Sequence, residues 1–435
     1  MTAQLTWADL PGRSVAVWGV GVEGLASLRR LRADGVEPVL VDREPKVFDD
    51  GTEVRAYAEG GQELLNGVDV VVKSPGISRY GSECADLVAA GVDVVGGLGL
   101  WLNGADRSRV ACITGTKGKS TTTAVAGGLL AGLGVSHRVG GNIGTCPWDP
   151  DVPQDVDWWV VETSSYQALD VQAGPAVVAV TSLGEDHLPW HGGSVENYHR
   201  DKLSLCTRPG VRAVVASDEP SLRERADWLG SHVDWVAERA HWAAASALLG
   251  EHNLRNAEVA RRTLLALGVP GADDEDALAE ALAEFAPLPH RLTAVAHADD
   301  VAFVDDSIST NPLSAVAAVR AFPGRRVALL VGGLERDVDY RPLAACVDDR
   351  VRVFTMPSNG SRIGEVLRAE GVQQVEDCAS LPDAVRRGFA WARPGGVVLL
   401  SPAAASFDLF ADYRARGEAF CALARELCEG ESRTG

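Results

Sequence analysis

The sequence predicts an α/β fold of three domains, each built on a mostly parallel sheet. Three observations predict it. Short apolar runs alternate with helical stretches along all 435 residues. Glycine-rich turns join strand to helix near residues 19–24 and 114–119. Most apolar runs end in small clusters of polar residues. Alternation of this kind makes βαβ units, and the length exceeds what one hydrophobic core supports. Boundaries are expected at 1–104, 105–291 and 292–435.

In the first segment, residues 14–18 read as a strand. Gly19-Val-Gly-Val-Glu-Gly24 then opens a helix to about Asp34, and residues 39–41 form a second strand ending at Asp42. This is GxGxxG spacing with an acid about twenty positions on, the pattern of a Rossmann-like half-fold. Residues 68–72 lead into Lys73-Ser-Pro-Gly-Ile77, a loop at the sheet's carboxyl edge, where open α/β sheets hold ligands.

The second segment holds the most informative stretch. Residues 110–113 form an apolar strand, Thr114-Gly-Thr-Lys-Gly-Lys119 a tight turn, and residues 120–133 a helix. Gly115 and Gly118 let the backbone approach an anion closely. The helix N-terminus adds free N–H groups and about half a positive charge. Lys119 can reach the β/γ-phosphates, and Ser120 or Thr121 can meet Mg²⁺. The general phosphate-loop pattern asks for glycine at position 113, where Ile stands. The order strand, Lys-Ser pair, helix still predicts a nucleoside triphosphate site.

Residues 140–144 read as a polar turn between helix and sheet. A strand at 157–161 ends in Glu162-Thr-Ser-Ser-Tyr-Gln167, and another at 176–180 runs into Thr181-Ser-Leu-Gly-Glu-Asp-His187. An acid at a strand end beside a phosphate loop is where Mg²⁺ is usually held. Carboxylate, hydroxyl and imidazole thus converge on one sheet edge. Residues 194–206 are helical and carry Lys202; a lone lysine on a helix ordinarily marks a solvated face. Asn253 and Asn256, three apart, fall on one helix face suited to an adenine edge.

Pro287-Leu-Pro-His-Arg-Leu292 reads as a linker and hinge. The third segment alternates again: 301–304 ends at Asp305-Asp306, 326–331 at Gly332-Gly333, 351–354 follows, and 397–400 ends in Ser401-Pro-Ala-Ala-Ala-Ser406. It has a doubly wound pattern without a phosphate loop of its own.

The bulk numbers exclude other classes. A net charge of −19 argues against a nucleic-acid partner. The eight cysteines show no paired spacing and read as reduced. No signal peptide and no membrane-length apolar run is visible. A cytoplasmic, monomeric protein is expected.

Together these stretches resemble the Mur ligases, the ATP-dependent amino-acid ligases of bacterial peptidoglycan assembly. The likeness rests on Thr114-Gly-Thr-Lys-Gly-Lys-Ser-Thr121, Gly141-Asn-Ile-Gly144, Glu162-Thr-Ser-Ser-Tyr-Gln167, Glu185-Asp-His187, His252-Asn-Leu-Arg-Asn256, Pro289-His-Arg291 and Asp306-Ser307. The ending Leu400-Ser-Pro-Ala-Ala-Ala-Ser-Phe-Asp408, with Arg416-Gly417, is similar to the glutamate-adding, MurD-type branch.

The resemblance implies a UDP-binding first domain, a central ATPase domain and a C-terminal amino-acid domain. It implies ATP held by Gly115, Thr116, Lys117, Gly118, Lys119, Ser120, Thr121, Asn253, Asn256, Arg291 and Asp306. It implies one Mg²⁺ at Ser120 or Thr121 with Glu162, and a second at His187 and Lys202, the lysine as its carbamate. Lys119, Glu162, His187 and Lys202 are the implied catalytic set. The UDP-sugar substrate, UDP-MurNAc-L-Ala, is implied at Gly19, Gly21, Val22, Glu23, Asp42, Ser74 and Gly76, with Asn142, Ser164 and Gln167 at its muramoyl-alanine end. Glutamate is implied at Thr310, Arg336, Ser406 and Tyr413.

Departures from the branch pattern matter. Asp306-Ser-Ile-Ser-Thr-Asn311 has Ile308 where a lysine is usual, and Gly332-Gly-Leu-Glu-Arg336 lacks the usual lysine turn. Arg336 offers a bidentate fork instead of a point charge. This pattern resembles a variant that adds L-glutamate, so L-glutamate is expected over D-glutamate. Pro189 replaces a usual aspartate beside His187. The alternatives are a D-glutamate-adding ligase, a folylpolyglutamate-synthase-like ligase, or a nucleotide-binding regulator without ligase activity.

Overall fold

A computed structural model describes residues 4–335 and 338–432. The chain forms two compact units, residues 1–246 with 255–285, and residues 247–254 with 286–435.

The first unit holds two six-stranded sheets. One comprises β1 (Val15–Trp18), β2 (Val39–Asp42), β3 (Lys46–Val47), β4 (Glu53–Ala56), β5 (Val70–Lys73) and β6 (Asp93–Gly96) in the order β3-β4-β2-β1-β5-β6. All its pairings are parallel except β3 with β4. The other comprises β7 (Val110–Thr114), β8 (His137–Gly141), β9 (Trp158–Glu162), β10 (Val177–Val180), β11 (Ala213–Ser217) and β12 (Val233–Val236), wholly parallel in the order β12-β11-β10-β7-β9-β8. Central strands such as β7 and β10 are buried along their whole length, as parallel strands covered on both faces must be. One apolar core runs from Leu10 and Val17 beneath the first sheet to Val178 and Leu205 beneath the second.

The second unit holds β13 (Thr293–Ala298), β14 (Val301–Asp305), β15 (Val327–Val331), β16 (Val351–Thr355), β17 (Val375–Asp377) and β18 (Val397–Leu400), ordered β13-β14-β18-β15-β16-β17. Only β13 is antiparallel, against β14. Cores lie on both faces of this sheet, around Leu329 and Val353 on one and Phe303 and Phe354 on the other.

The three mostly parallel sheets match the predicted fold class. One local reading is corrected: Gly140 and Gly141 belong to β8 and the turn starts after them. Gly141 can end the strand because its φ is +88°, and a Cβ there would lie 2.2 Å from the Glu162 carbonyl oxygen. Among the described residues no disulfide joins two cysteines, and Cys84, Cys112, Cys146, Cys206 and Cys378 are buried. Among the described residues no helix is long and apolar enough to cross a membrane.

Candidate active site

The order of the second sheet builds the site. β7 lies between β10 and β9, with Thr114 paired to Val180 and Ile113 to Glu162. Three neighbouring strands therefore end together, and their loops form one rim. This is where an open parallel sheet presents its ligand edge.

The turn after β7 needs its glycines. Gly115 has φ +142°, and a Cβ would meet Thr181 Oγ1 at 2.1 Å; Gly118 has φ +87°, and a Cβ would meet Asn256 Oδ1 at 2.7 Å. The helix Lys119–Gly132 begins on Gly118 with no side-chain cap, so its first N–H groups face outward for an anion. The turn is pinned from β10: Lys117 N donates to Ser182 Oγ at 2.8 Å, and Gly184 N donates to Thr116 Oγ1 at 2.9 Å. Lys117 also pairs with Asp186 at 3.3 Å. Lys119 Nζ donates to the carbonyls of Gly115 and Thr116 at 2.8 and 3.2 Å.

Lys202 lies on the helix Val195–Leu203 and is fully buried, contrary to a solvated face. Its Nζ donates to the Gly115 carbonyl at 2.9 Å and sits 4.9 Å from the Tyr198 ring. Burial, and then the charge of Lys119, push its pKa well below the ordinary lysine value. Tyr198 is one helical turn before Lys202 and its hydroxyl meets Thr116 Oγ1 at 3.0 Å. Sequence reading missed Tyr198; the i, i+4 spacing from Lys202 was the available signal.

Glu162 closes the rim on the β9 side. Asn142 Nδ2 donates to its Oε1 at 2.8 Å, while the buried Oε2 has no hydrogen-bond partner among the described residues. His187 takes a left-handed backbone, φ +52°, beside Tyr166 at 5.5 Å between ring centroids. Partial desolvation lowers its pKa, Asp186 opposes, and Lys202, Lys117 and Lys119 lower it further. The side chain is 59% accessible, so its nearby cations act through solvent and the ring stays available to a reactant. Ser164 caps the helix Ser165–Asp170 by accepting from Gln167 N, and Gln167 Oε1 accepts from Ser164 N at 2.8 Å. Behind them lies a chain that sequence reading did not find, buried from Ser165 to Asp201 and ending at the exposed Tyr80: Ser165 Oγ to His191 Nε2 at 3.1 Å, His191 Nδ1 to Asp201 at 2.6 Å, and Tyr80 hydroxyl to Asp201 at 3.0 Å.

The first sheet offers a second cradle in the same unit. Gly19 has φ +91°, Ser74 Oγ donates to its carbonyl at 2.5 Å, and Asp42 Oδ2 accepts from Val20 N at 2.7 Å. Asp42 and Ser74 thus brace the glycine turn. Gly21 and Gly76 stand open, with nothing within 4 Å of a built Cβ, and Val22 is exposed. The helix Val22–Ala33 starts uncapped on Gly21. Gln167 Nε2 donates to Glu23 Oε1 at 2.6 Å, tying the two sheets' rims together. Burial raises the Glu23 pKa to about 7 against that hydrogen bond.

In the second unit, Asp306 and Ser401 join the tips of β14 and β18, Ser401 Oγ donating to Asp306 Oδ2 at 2.7 Å. Desolvation lifts Asp306 to about 7. Ser406 is buried, and the Tyr413 ring meets His290 edge-on at 5.8 Å. Arg291 and Thr310 also belong to this unit, as does Asn253, whose amide donates to the Leu249 carbonyl at 2.8 Å. Arg336 lies outside the described residues.

Comparison with known proteins gives this arrangement its context. Residues 113–236 match the Mur ligase middle domain, and residues 290–404 match the Mur ligase glutamate ligase domain. A UDP-N-acetylmuramoyl-L-alanine–L-glutamate ligase of Xanthomonas axonopodis pv. citri (strain 306) is 38% identical, with 96% of each chain covered. The chain belongs to the Mur ligase family. The like-named ligase of Micromonospora sp. (strain ATCC 39149 / NRRL 15099 / SCC 1413) is 37% identical over 96% of this chain and 98% of that one. MurF ligase from Thermotoga maritima in complex with ADP has the same fold, with a TM-score of 0.59 at 16% identity over 96% of this chain and 94% of that one. Like other Mur ligases, the protein is an ATP-dependent, amide-bond-forming enzyme.

The donor set of this Mur ligase fits magnesium. Among the described residues no three His, Cys, Asp or Glu side chains gather as a cage. Mg²⁺ does not need one, since it is commonly held by one or two carboxylates with substrate phosphates and water. The unpartnered Oε2 of Glu162, beside a phosphate turn, is such an oxygen. A cation there offsets the cost of leaving a buried carboxylate oxygen unsatisfied.

Proposed function

We propose that the enzyme joins glutamate to UDP-N-acetylmuramoyl-L-alanine with ATP, through an acyl phosphate, and that it takes L-glutamate. The observation that carries the ligase chemistry is the convergence of Lys119, Lys202 and the unpartnered Glu162 oxygen on one phosphate turn. The relatives' names and Ile308 in place of a pocket lysine support the amino acid and its L-configuration.

The muramoyl-alanine carboxylate attacks the γ-phosphorus of ATP, ADP leaves, and the glutamate amine attacks the acyl carbon to release phosphate. The backbone N–H groups at 119–121 and Lys119 stabilise charge on the transferring phosphoryl oxygens. Mg²⁺, when bound by Glu162 with Ser120 or Thr121 and by His187 with the carbamate of Lys202, supplies further charge neutralisation. Lys202 suits carbamylation because burial lowers its pKa well below the ordinary lysine value and so favours the nucleophilic free amine; carbon dioxide adds to it with loss of one proton. His187, with its pKa lowered by desolvation, offers a neutral ring nitrogen to the second of these sites. Asn256 faces the nucleotide from beside Gly118, and Asn253, Arg291 and Asp306 complete its recognition. Gly21, Val22, Glu23 and Gly76 hold the UDP group; Asn142, Ser164 and Gln167 hold the muramoyl-alanine end; Thr310, Arg336, Ser406 and Tyr413 hold glutamate. The enzyme works in the cytoplasm as a monomer.

The test offers the purified chain ATP, Mg²⁺, UDP-N-acetylmuramoyl-L-alanine and each glutamate enantiomer separately. L-Glutamate alone is expected to yield ADP in proportion to new amide. ADP and amide from D-glutamate alone reverse the stereochemical assignment, and no coupled ADP with either enantiomer removes the ligase reading.

A further inference from the structure

Arg416 is buried, yet none of its hydrogen bonds among the described residues reaches a carboxylate. Its fork spends itself on backbone carbonyls. Nη1 donates to Gly332 and Ala405 at 3.3 and 3.4 Å, and Nη2 to Ser307 and Ala404, both at 2.9 Å. Those carbonyls follow β15, β18 and β14, three adjacent strands. The carboxyl edge of a parallel sheet is crowded with such oxygens, and left uncapped they repel an anion.

The local sequence is cut to admit the fork. A Cβ on Gly333 would lie 3.0 Å from Arg416 Nη1, and one on Gly417 would lie 2.2 Å from His290 Nδ1. On the β14 tip the Ser307 and Ser309 hydroxyls are buried without hydrogen-bond partners among the described residues, as groups awaiting a ligand are. A brace alone could be neutral. Keeping a buried charge is costly where burial outweighs the pull of the nearby Asp408 and Asp305 carboxylates, which do not hydrogen-bond to it, and the cost has a purpose where an anion is to be received.

We propose that Arg416 is a positioning residue for the amino-acid substrate, capping the carbonyls of three strand tips and supplying the positive charge that favours a dicarboxylic over a neutral amino acid. This rests on the glutamate-ligase reading above. Arg416 acts through the loops bearing Thr310 and Ser406. A lysine keeps the charge but, as a point donor, cannot bridge four carbonyls.

The full-length wild type, R416K and R416M are compared under ligation conditions for glutamate KM, ATP KM, kcat and the glutamate-to-glutamine ratio of kcat/KM, with thermal unfolding recorded. R416M is expected to raise glutamate KM about tenfold or more and to lower the glutamate-to-glutamine ratio about tenfold, while ATP KM changes less than about twofold. R416K is expected to raise glutamate KM and keep the ratio. Unchanged glutamate KM, a fall in kcat alone, or equal losses for glutamate and glutamine overturn the proposal. Should R416M not fold, R416K decides: raised glutamate KM beside unchanged ATP KM upholds the proposal, and both moving together, or neither moving, overturns it. A wild type that ligates no amino acid sinks the ligase reading itself, an outcome distinct from variants that behave like an active wild type.

Discussion

Lys119 and Lys202 direct their ammonium nitrogens at the same acceptor, the Gly115 carbonyl oxygen, at 2.8 and 2.9 Å. Burial, and then the charge of Lys119, push the pKa of the deeper one, Lys202, well below the ordinary lysine value.

The stability of the wild type should record that arrangement. A lysine whose folded pKa is depressed gives its full contribution above the ordinary lysine value, and loses it as pH falls towards the folded value. In buffer free of carbon dioxide, Lys202→Met should therefore gain thermal stability relative to wild type as pH is lowered from about 10 to 7, while ligation is lost. A melting-temperature difference that stays flat over this range contradicts a lowered pKa for Lys202. With ¹³C-bicarbonate, wild type should show a carbamate carbon resonance that the Met variant lacks, and added bicarbonate should not revive the variant.

Glu23 works in the opposite sense. Burial raises it to about 7 despite the hydrogen bond from Gln167. A raised folded pKa gives stability that is complete below the unfolded glutamate value and lost as pH rises through about 7. Glu23→Gln keeps an acceptor for Gln167 and removes the titration. Thermal unfolding from pH 5 to 8 should destabilise wild type relative to this variant by at most about 3 kcal/mol; parallel curves would show that Glu23 does not titrate there.

Gly118 links loop conformation to nucleotide binding. Alanine at φ +87° costs about 1–2 kcal/mol in backbone strain, and its Cβ would press on Asn256 Oδ1 at 2.7 Å. Gly118→Ala should raise ATP KM about tenfold or more, with a smaller effect on the KM of the UDP-sugar substrate. Equal KM changes for both substrates would mean that the substitution disturbs the unit as a whole.

The second-sheet site was legible because its parts are local: a strand, a glycine turn and a helix start follow one another in sequence. The rims of β9 and β10 were legible for the same reason, each an apolar run ending in polar residues. Apart from β11, whose buried apolar run at residues 214–216 sequence reading passed over, much of what escaped was long-range or non-periodic. Strands β3, β4 and β17 are short and largely solvent-facing, so no apolar run marks them. The Glu23–Gln167 contact joins residues 144 apart, and the carbonyl web of Arg416 has acceptors in backbone, which every sequence supplies equally. Lys202 was assigned from family resemblance; helix pattern alone favoured solvent, and the burial that lowers its pKa comes from packing.

Glu162 tests whether the unpartnered oxygen is a metal ligand. Glu162→Gln preserves size and still accepts from Asn142 Nδ2 at the oxygen corresponding to Oε1, but it replaces anionic Oε2 with a neutral NH₂. Mg²⁺ prefers hard oxygen donors, and an amide nitrogen is not one. The variant should fold, need a higher Mg²⁺ concentration for half-maximal activity, and lose about 10²–10³ in kcat, the range for removing one preorganised charge-stabilising group. Wild-type Mg²⁺ dependence with full kcat in Glu162→Gln would assign Oε2 to packing alone and leave the cation to be held by Ser120, Thr121 and substrate oxygens.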